Sequence, residues 1–273
     1  MLNDLLAKKL TKNELKLVPR SFDIIGSKEK AIAVIEIDPK LRKKERIIAR
    51  ALAALHKNVR TVLKKSSPRR GKYRIMRTKL IYGSKNTLVV HKESGCLLKL
   101  DPRKVYFSPR EGTERMRIAE KVKPGETVMI FFAGAGPFAV VIGKKARPKK
   151  IIGIEINPAG IKYFRENVKL NKLSDVEIVK GDVKKIAKKY YGCCDRVLMP
   201  LPEKAIDYVD DAIKCLRPNG ICHLYCFSSE DTTAVKKKIQ RASESMGRKV
   251  KFLESQKVLP WGPGIWKMRI DFE

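Results

Sequence analysis

Phe131-Phe132-Ala133-Gly134-Ala135-Gly136-Pro137-Phe138 is the part of the sequence that says most about the architecture. It ends a strand predicted over residues 127–132 and leads into a helix predicted over residues 138–145. Glycines let the backbone turn tightly and come close to a ligand, and the first turn of the following helix has N–H groups without helical partners. A strand, a glycine turn and a helix in this order predict a nucleotide-binding turn of an α/β sheet.

Strands and helices keep alternating after this turn. We predict strands at residues 150–156, 176–179, 195–199 and 220–227, and helices at residues 158–171, 183–189 and 204–216. Such alternation indicates parallel pairing and a doubly wound sheet. A helix at residues 234–246 and strands at residues 250–258 and 265–272 are expected to complete the sheet with an antiparallel pair.

Two acidic residues stand where predicted strands end. Glu155 ends the second strand, nineteen positions beyond Gly136, and Asp182 follows the third strand. Open sheets bind ligands at the carboxyl ends of their strands. We therefore expect Glu155 to accept hydrogen bonds from both hydroxyls of a ribose and Asp182 to accept one from an adenine amino group.

The glycine turn alone does not identify the cofactor. A dinucleotide site normally has a third glycine three residues after the second, but Ala139 is tolerated there, so a nicotinamide dinucleotide stays open. Asn157-Pro158 and Met199-Pro200-Leu201-Pro202 are less usual in a dinucleotide fold, although proline is common in turns of any kind. The loop by itself therefore indicates a cofactor that contains adenosine.

Charge indicates the class of partner. The 273 residues include 61 Lys+Arg against 29 Asp+Glu, which gives a formal net charge of +32. A polyanion is the natural partner, because each phosphate contact releases condensed counterions. A basic surface that is merely solvated is the alternative. The hydrophobic fraction of 43% is enough to build a core, which excludes a wholly disordered chain.

The sequence gives no indication of export, membrane insertion or metal binding. It has no signal peptide and no apolar run of about 18 residues. The six cysteines form no C-x-x-C pair, and Cys222 and Cys226 lie in an apolar run, so we expect free thiols in a reducing cytosol. A cytoplasmic monomer without a metal is the expected state.

The first hundred residues have a different pattern from the rest. Residues 1–17 suggest a basic helix or arm, residues 31–37 a strand and residues 41–55 a helix. Further strands are expected at residues 59–63, 80–82, 87–90 and 96–100, with a basic loop at residues 66–72. We predict a small basic α+β domain at residues 1–100, which binds the nucleic acid substrate, and a cofactor-binding domain at residues 101–273.

Several motifs resemble those of the archaeal tRNA (guanine-37-N1)-methyltransferase family. The glycine turn, Glu155-Ile156-Asn157-Pro158 and Leu201-Pro202 are similar to its cofactor-side motifs. Val18-Pro19-Arg20-Ser21-Phe22-Asp23-Ile24-Ile25-Gly26 resembles the start of its middle domain. Tyr106-Phe107-Ser108-Pro109-Arg110, with Thr113-Glu114-Arg115, resembles the junction with its catalytic domain. The likeness spans residues 17–273.

This resemblance implies both a fold and a reaction. The fold is α/β, a class I (Rossmann-like) methyltransferase sheet with a smaller basic α+β N-terminal domain. The cofactor is S-adenosylmethionine, and the partner is tRNA, modified at position 37 of the anticodon loop. The cofactor is expected to contact Phe132, Ala133, Gly134, Gly136, Phe138, Glu155, Ile156, Asp182, Val183, Met199 and Pro200.

The resemblance also implies roles in catalysis. Glu114 matches the proposed general base that takes the N1 proton of guanine-37, and Arg74 matches the arginine that stabilises charge on guanine O6. Pro200 and Pro202 complete the expected catalytic set, and the expected substrate contacts are Arg74, Arg110, Arg115 and Leu201. The alternatives are ordinary phosphate binding for Arg74 and Arg110, and a dipole-stabilised helix start for Glu114.

Three features depart from the family's pattern. Ile130 stands where the first strand usually has an aspartate, which removes an acid near the methionine part of the cofactor. Pro200 replaces the asparagine of the usual Asn-Leu-Pro and resembles a subgroup that methylates C7 of 4-demethylwyosine, in some members together with N1 of guanine. The N-terminal domain that grips the tRNA corner in full-length relatives is expected to be absent, so the basic first hundred residues would contribute more of the grip.

Several interpretations are therefore open. N1 of guanine-37 and C7 of 4-demethylwyosine both fit as acceptors. An aminocarboxypropyl transferase of the wyosine pathway would use the same cofactor, although Ser108-Pro109-Arg110 and Leu201-Pro202 fit the methyltransferase branch better. A nicotinamide oxidoreductase leaves the charge unexplained. A catalytically degenerate tRNA-binding protein would account for Ile130.

Overall fold

The computed structural model describes residues 2–69 and 71–273, so Met1 of the predicted arm and Arg70 of the predicted basic loop lie outside the described residues. The chain divides into two compact units, the first ending at Pro109 and the second running from Arg110 to Glu273. Residues 101–109 thus group with the first unit. In the described part of the chain, no helix is both long and apolar enough to span a membrane.

The first unit contains a four-stranded sheet, helices and a separate hairpin. Its helices are α1 (Leu2–Leu6), α2 (Lys12–Lys16) and α3 (Glu45–Leu55), and a 3-10 helix covers Pro39–Lys44. The sheet consists, in order, of β1 (Phe22–Gly26), β2 (Ala31–Ile35), β3 (Val59–Lys65) and β4 (Thr78–Gly83). The hairpin consists of β5 (Val89–Glu93) and β6 (Cys96–Leu100). Strands β2 and β3 are parallel, whereas β1–β2 and β3–β4 are antiparallel.

The core of the first unit follows from residue spacing. Ile48 and Leu52 are four residues apart on one face of α3, and Ala33 and Ile35 are two apart on one face of β2; all four are fully buried. The strand and helix predicted in this region are confirmed. Strand β1 was not predicted. Most of its residues are only partly buried, and the sequence there shows no clear alternation of apolar and polar residues.

The second unit alternates strands and helices. Its helices are α4 (Gly112–Lys121), α5 (Pro137–Lys145), α6 (Pro158–Leu170), α7 (Val183–Ile186), α8 (Val209–Cys215) and α9 (Thr233–Glu244). Its strands are β7 (Thr127–Ile130), β8 (Lys150–Glu155), β9 (Val176–Lys180), β10 (Cys194–Met199), β11 (Leu216–Ser228), β12 (Phe252–Gly262) and β13 (Ile265–Phe272). Short 3-10 helices precede α4 and α8 and follow α7, at Pro109–Glu111, Ala205–Tyr208 and Ala187–Tyr190.

The seven strands form one sheet in the order β12-β13-β11-β10-β7-β8-β9. Strands β7 to β11 pair in parallel, and β13 is antiparallel to both β11 and β12. The doubly wound sheet with an antiparallel end is therefore confirmed. The strand order reverses between β7 and β10, and open sheets bind ligands at the carboxyl ends of the strands beside such a reversal.

Strand β7 is shorter than predicted for a physical reason. It ends at Ile130, and Phe132 has a φ of +55°, which an extended strand cannot contain. The apolar core behind this region includes Phe131, Ile152 and Met199. The cysteines are free, and Cys222 and Cys226 are buried among apolar neighbours, as expected for small hydrophobic side chains.

Candidate active site

The glycine turn lies at the carboxyl end of β7. The Ala133 amide donates to the Ile154 carbonyl and the Gly136 amide to the Ala133 carbonyl, both at 2.9 Å, so the turn folds back onto β8. Gly136 has a φ of +78°, and a Cβ there would lie 2.1 Å from the Phe164 ring. This position therefore requires glycine on both conformational and steric grounds.

Glu155 ends β8 beside the turn. Its side-chain oxygens accept hydrogen bonds from the Gly134 and Asn157 amides, each at 2.6 Å, and the residue is 7% exposed. Burial raises the pKa of Glu155, and the backbone donors oppose that shift. A Cβ on Gly160 would come within 2.9 Å of Glu155 Cγ, so glycine there lets α6 begin close to the carboxylate.

The other predicted cofactor residues follow neighbouring strands. Asp182 accepts a hydrogen bond from the Lys184 amide at 3.0 Å and caps α7, whose first residue, Val183, is buried. Met199 ends β10 and is fully buried, and Pro200 after it is half-buried. Because parallel strands end at one edge, the sheet brings these residues to the same edge as the glycine turn.

These residues fit an adenosine-containing cofactor. A carboxylate has about four acceptor positions, so Glu155 can accept from ribose hydroxyls in addition to its two backbone donors. Apolar side chains suited to an adenine ring stand nearby in sequence: Val183 is buried, and Ile156 and Phe132 are half-buried. The Phe132 ring is held edge-on against Tyr208, with 4.9 Å between the centroids. Ile130 is buried in β7, so the strand ends in an apolar side chain beside the glycine turn.

Replacing Glu155 with alanine is expected to weaken binding of S-adenosylmethionine by about 100-fold, because two hydrogen bonds to a charged acceptor are lost. Isothermal titration calorimetry measures this directly. Glu177→Ala is the matched control, because Glu177 lies near the opposite end of the adjacent strand β9 and pairs with Lys150 at 2.7 Å. Equal affinities for the two variants would contradict the assignment.

Glu114 occupies a buried and strongly hydrogen-bonded position on α4. It is 2% exposed, and its Oε1 accepts from the Tyr225 hydroxyl and from Arg269 Nη1, both at 2.7 Å. Its Oε2 has a longer contact of 3.4 Å with Arg117 Nη1. Glu114 is thus more than a dipole-stabilised helix start, since its carboxylate is ion-paired and fixed in one orientation.

Arg269 continues this contact into a row of buried polar side chains on β13, β11 and β10. Its Nε donates to Asp271 Oδ1 at 2.8 Å, and His223 Nδ1 lies 2.7 Å from the same oxygen. His223 Nε2 lies 2.6 Å from Arg196 Nη1, and Arg196 Nε pairs with Glu126 at 2.8 Å. A neutral histidine protonated on Nδ1 satisfies both of its contacts, because it donates to Asp271 and accepts from Arg196.

The pKa directions agree with that protonation state. Burial lowers the pKa of His223, and the two arginines add to the effect although Asp271 opposes it. Burial works against ionisation of Asp271 as well, but the His223 hydrogen bond and the positive charge of Arg269 lower its pKa to about 2. At neutral pH the Asp271 carboxylate is therefore ionised and lies between the Arg269 guanidinium and a neutral His223 imidazole, whose other nitrogen contacts Arg196.

Sequence reasoning missed this row. It took residues 220–227 as an apolar strand, although His223 and Tyr225 alternate there with Cys222, Leu224 and Cys226. Lys267, Arg269 and Asp271 alternate in the same way along β13. The period of two was a usable signal for a polar face, but it ordinarily indicates a face turned to water, whereas here the residues are buried.

The predicted substrate residues lie in varied surroundings. In the first unit, Arg74 is half-buried and has a φ of +54°. In the second, Arg110 is exposed, Leu201 is half-buried, and Arg115 is buried at 1% exposure, so the Arg115 guanidinium does not face solvent. Pro202 is half-buried in the turn after β10. Their contacts with substrate stay predictions.

Family models match both parts of the chain. One described as the TRM5/TYW2 methyltransferase domain matches residues 89–252, and one described as the TYW2 N-terminal domain matches residues 2–87. The chain is 39% identical over 259 residues to the tRNA (guanine(37)-N(1))-methyltransferase Trm5b of Pyrococcus abyssi, covering 94% of this chain and 76% of the relative. It is 29% identical over 273 residues to a tRNA(Phe) (4-demethylwyosine(37)-C(7)) aminocarboxypropyltransferase of Pyrococcus horikoshii, covering 99% and 95%.

Solved structures give the same result. The crystal structure of Pyrococcus abyssi Trm5b superposes with a TM-score of 0.87 at 38% identity, covering 96% of this chain and 78% of the other. The structure of Pyrococcus horikoshii TYW2 in complex with MeSAdo superposes with a TM-score of 0.82 at 28% identity, covering 99% and 97%. Because a family model matches each unit and a relative is 39% identical along 94% of the chain, this chain belongs to the TRM5/TYW2 family of S-adenosylmethionine-dependent methyltransferases.

Proposed function

We propose that this protein methylates the purine at position 37 in the anticodon loop of tRNA, with N1 of guanine as the principal acceptor. The observation that carries the proposal is the 39% identity to a guanine-37 N1-methyltransferase along 94% of the chain. Support comes from the Glu155 site at the carboxyl edge of the sheet and from the buried carboxylate of Glu114. The formal charge of +32 suits an RNA substrate.

The proposed reaction divides the work among a few side chains. When bound, S-adenosylmethionine supplies a methyl group on a positively charged sulfur. Glu155 holds the ribose of the cofactor. The Pro200-Leu201-Pro202 turn receives the target base after that base has left the anticodon stack, so Pro200 and Pro202 belong to the proposed catalytic residues. Glu114 accepts the N1 proton, and the electron pair of that N–H bond becomes available on the base for attack on the methyl carbon.

The arginines have the electrostatic role in this proposal. Loss of the N1 proton places negative charge on guanine O6, and the fork of the Arg74 guanidinium suits a developing oxyanion. Arg110, which is exposed, is proposed as a further substrate contact. The first unit is proposed to bind the tRNA, and the Arg69 guanidinium over the Tyr106 ring, 4.2 Å from its centroid, fixes one cation there. A cytoplasmic monomer suits such an enzyme.

C7 of 4-demethylwyosine is a second candidate acceptor, and Pro200 is the observation that favours it. A proline cannot supply the side-chain amide that asparagine would offer to the target base. Attack from C7 uses the electron density of the base itself and loses a proton afterwards, so it makes less demand on a base at N1. An aminocarboxypropyl transfer is less favoured, because identity to two enzymes of that name is 33% over 204 residues and 29% over 273 residues, against 39% over 259 residues for the guanine-37 methyltransferase.

Product analysis decides between these reactions. The protein is incubated with methyl-labelled S-adenosylmethionine and with tRNA that carries either guanine-37 or 4-demethylwyosine, and the digested nucleosides are identified by mass spectrometry. We expect 1-methylguanosine from the first tRNA, with S-adenosylhomocysteine as the second product. Release of methylthioadenosine without methyl transfer would overturn the proposal in favour of aminocarboxypropyl transfer.

A further inference from the structure

Tyr225 lies on β11, beside the row of buried polar side chains that includes Arg269 and His223. Its side chain is fully buried, and its hydroxyl donates to Glu114 Oε1 at 2.7 Å. Lys267 Nζ sits over the ring, 4.8 Å from its centroid, and pairs with Glu111 at 2.9 Å. The ring of Phe138, in the first turn of α5 after the glycine turn, packs against Tyr225 with 6.1 Å between centroids. One side chain therefore contacts both the proposed base and the cofactor turn.

The two oxygens of Glu114 are held very differently. Oε1 receives two short hydrogen bonds, from Tyr225 and Arg269, whereas the contact of Oε2 with Arg117 is 3.4 Å long. The Arg117 side chain is 42% exposed, so Oε2 contacts a side chain that reaches solvent, whereas both partners of Oε1 are buried. Short hydrogen bonds that involve a charged group are stronger than long ones, so Oε1 is held more firmly than Oε2.

We propose that Tyr225 is a positioning residue, which together with Arg269 anchors Glu114 Oε1 so that Oε2 is the oxygen that takes the N1 proton. This inference rests on the proposed N1 methylation. The N1–H bond breaks, its electron pair stays on guanine, and a new O–H bond forms at Oε2. Oε1 accepts from Tyr225 before and after the transfer, so the carboxyl group does not rotate while the proton moves.

The ring and the hydroxyl of Tyr225 have separable roles. Tyr225→Phe keeps the ring against Phe138 and Lys267 and removes the hydrogen bond to Glu114. The affinity for S-adenosylmethionine should then stay within about twofold of wild type, because the cofactor turn keeps its packing partner. Arg269 is less suitable for this test, since it also pairs with Asp271 and with Glu254.

The experiment measures single-turnover methylation of guanine-37 tRNA, with cofactor affinity by calorimetry. We expect Tyr225→Phe to slow transfer about tenfold at saturating cofactor and tRNA, the size expected for one hydrogen bond to a charged group. Tyr190→Phe is the matched control, because the Tyr190 hydroxyl donates to another carboxylate of this unit, Glu177. The control should methylate at the wild-type rate.

Combining Tyr225→Phe with Glu114→Gln tests whether Tyr225 acts through Glu114. If it does, the double variant is no slower than Glu114→Gln alone, because the group that Tyr225 positions has lost its function. A further tenfold loss in the double variant would overturn the inference, as would a wild-type rate for Tyr225→Phe. Those outcomes leave the proposed function intact when wild-type protein forms 1-methylguanosine; absence of that product from wild type overturns both.

Discussion

Replacing Glu114 with glutamine should slow N1 methylation of guanine-37 by about 100- to 10,000-fold, the range that general base catalysis contributes. Glutamine has the same shape, and its carbonyl oxygen can still accept from Tyr225 and Arg269. It cannot take up a proton as a carboxylate does. The effect should appear in the single-turnover rate, with cofactor affinity unchanged, since Glu155 and the glycine turn are untouched.

Glu111→Gln is the matched control for Glu114→Gln. Glu111 is also buried, stands three residues earlier, and pairs with Lys267 at 2.9 Å. Removing the charge of Glu111 disturbs the buried contacts around Lys267 and Tyr225 without removing the proposed base. If both variants were equally slow, or if Glu114→Gln kept a rate within about fivefold of wild type, Glu114 would be a structural residue and not the base.

Replacing Asp271 with asparagine should lower the free energy of unfolding by about 3 kcal/mol, because the variant removes one of the three carboxylates that pair with the buried Arg269 and the charged acceptor of His223. Arg269 Nε and His223 Nδ1 both lie within 2.8 Å of Asp271 Oδ1, and all three side chains are almost fully buried. Urea unfolding at neutral pH measures the change. Asp231→Asn is the control, because Asp231 is exposed and the amide oxygen of asparagine can still accept from the Thr233 amide.

Acid should reproduce part of this loss in the wild-type protein. The pKa of Asp271 is lowered to about 2 in the folded state, below the value of about 3.9 for an unfolded aspartate. Its contribution is therefore fully present above pH 4 and is lost as the pH falls through 2, which amounts to about 2 kcal/mol. The stability difference between wild type and Asp271→Asn should shrink by that amount between pH 5 and pH 2, and a constant difference would contradict the pairing.

The sheet could be predicted from the sequence because its signals are local. Glycine at position 136 is required by a positive φ and by the approach of Phe164, and Glu155 stands at a strand end where an α/β sheet binds ligands. Strand lengths were less predictable. β7 ends two residues early because Phe132 turns out of the extended conformation, and nothing in the apolar run before Ala133 marks that point.

The surroundings of Glu114 could not be predicted, because they depend on strands more than a hundred residues away. Motif resemblance identified Glu114, but Tyr225 and Arg269 reach it only after β11 and β13 have paired. Alternation along β13 is a signal for a polar face, and such a face ordinarily contacts water. The structure instead buries that face, and the polar groups satisfy one another.

Helix α4 is attached to its unit by charge as well as by apolar contact, since its buried side chains include Glu114 and Arg115 alongside Ile118 and Ala119. Substitutions on the surface alone should therefore not make this enzyme stable at low pH. Surface substitutions alter net charge, but the carboxylate that ties α4 to β11 and β13 is internal and is the proposed base itself. A version of this protein suited to low pH would need a different set of residues on β11 and β13, and catalysis would have to be redesigned together with stability.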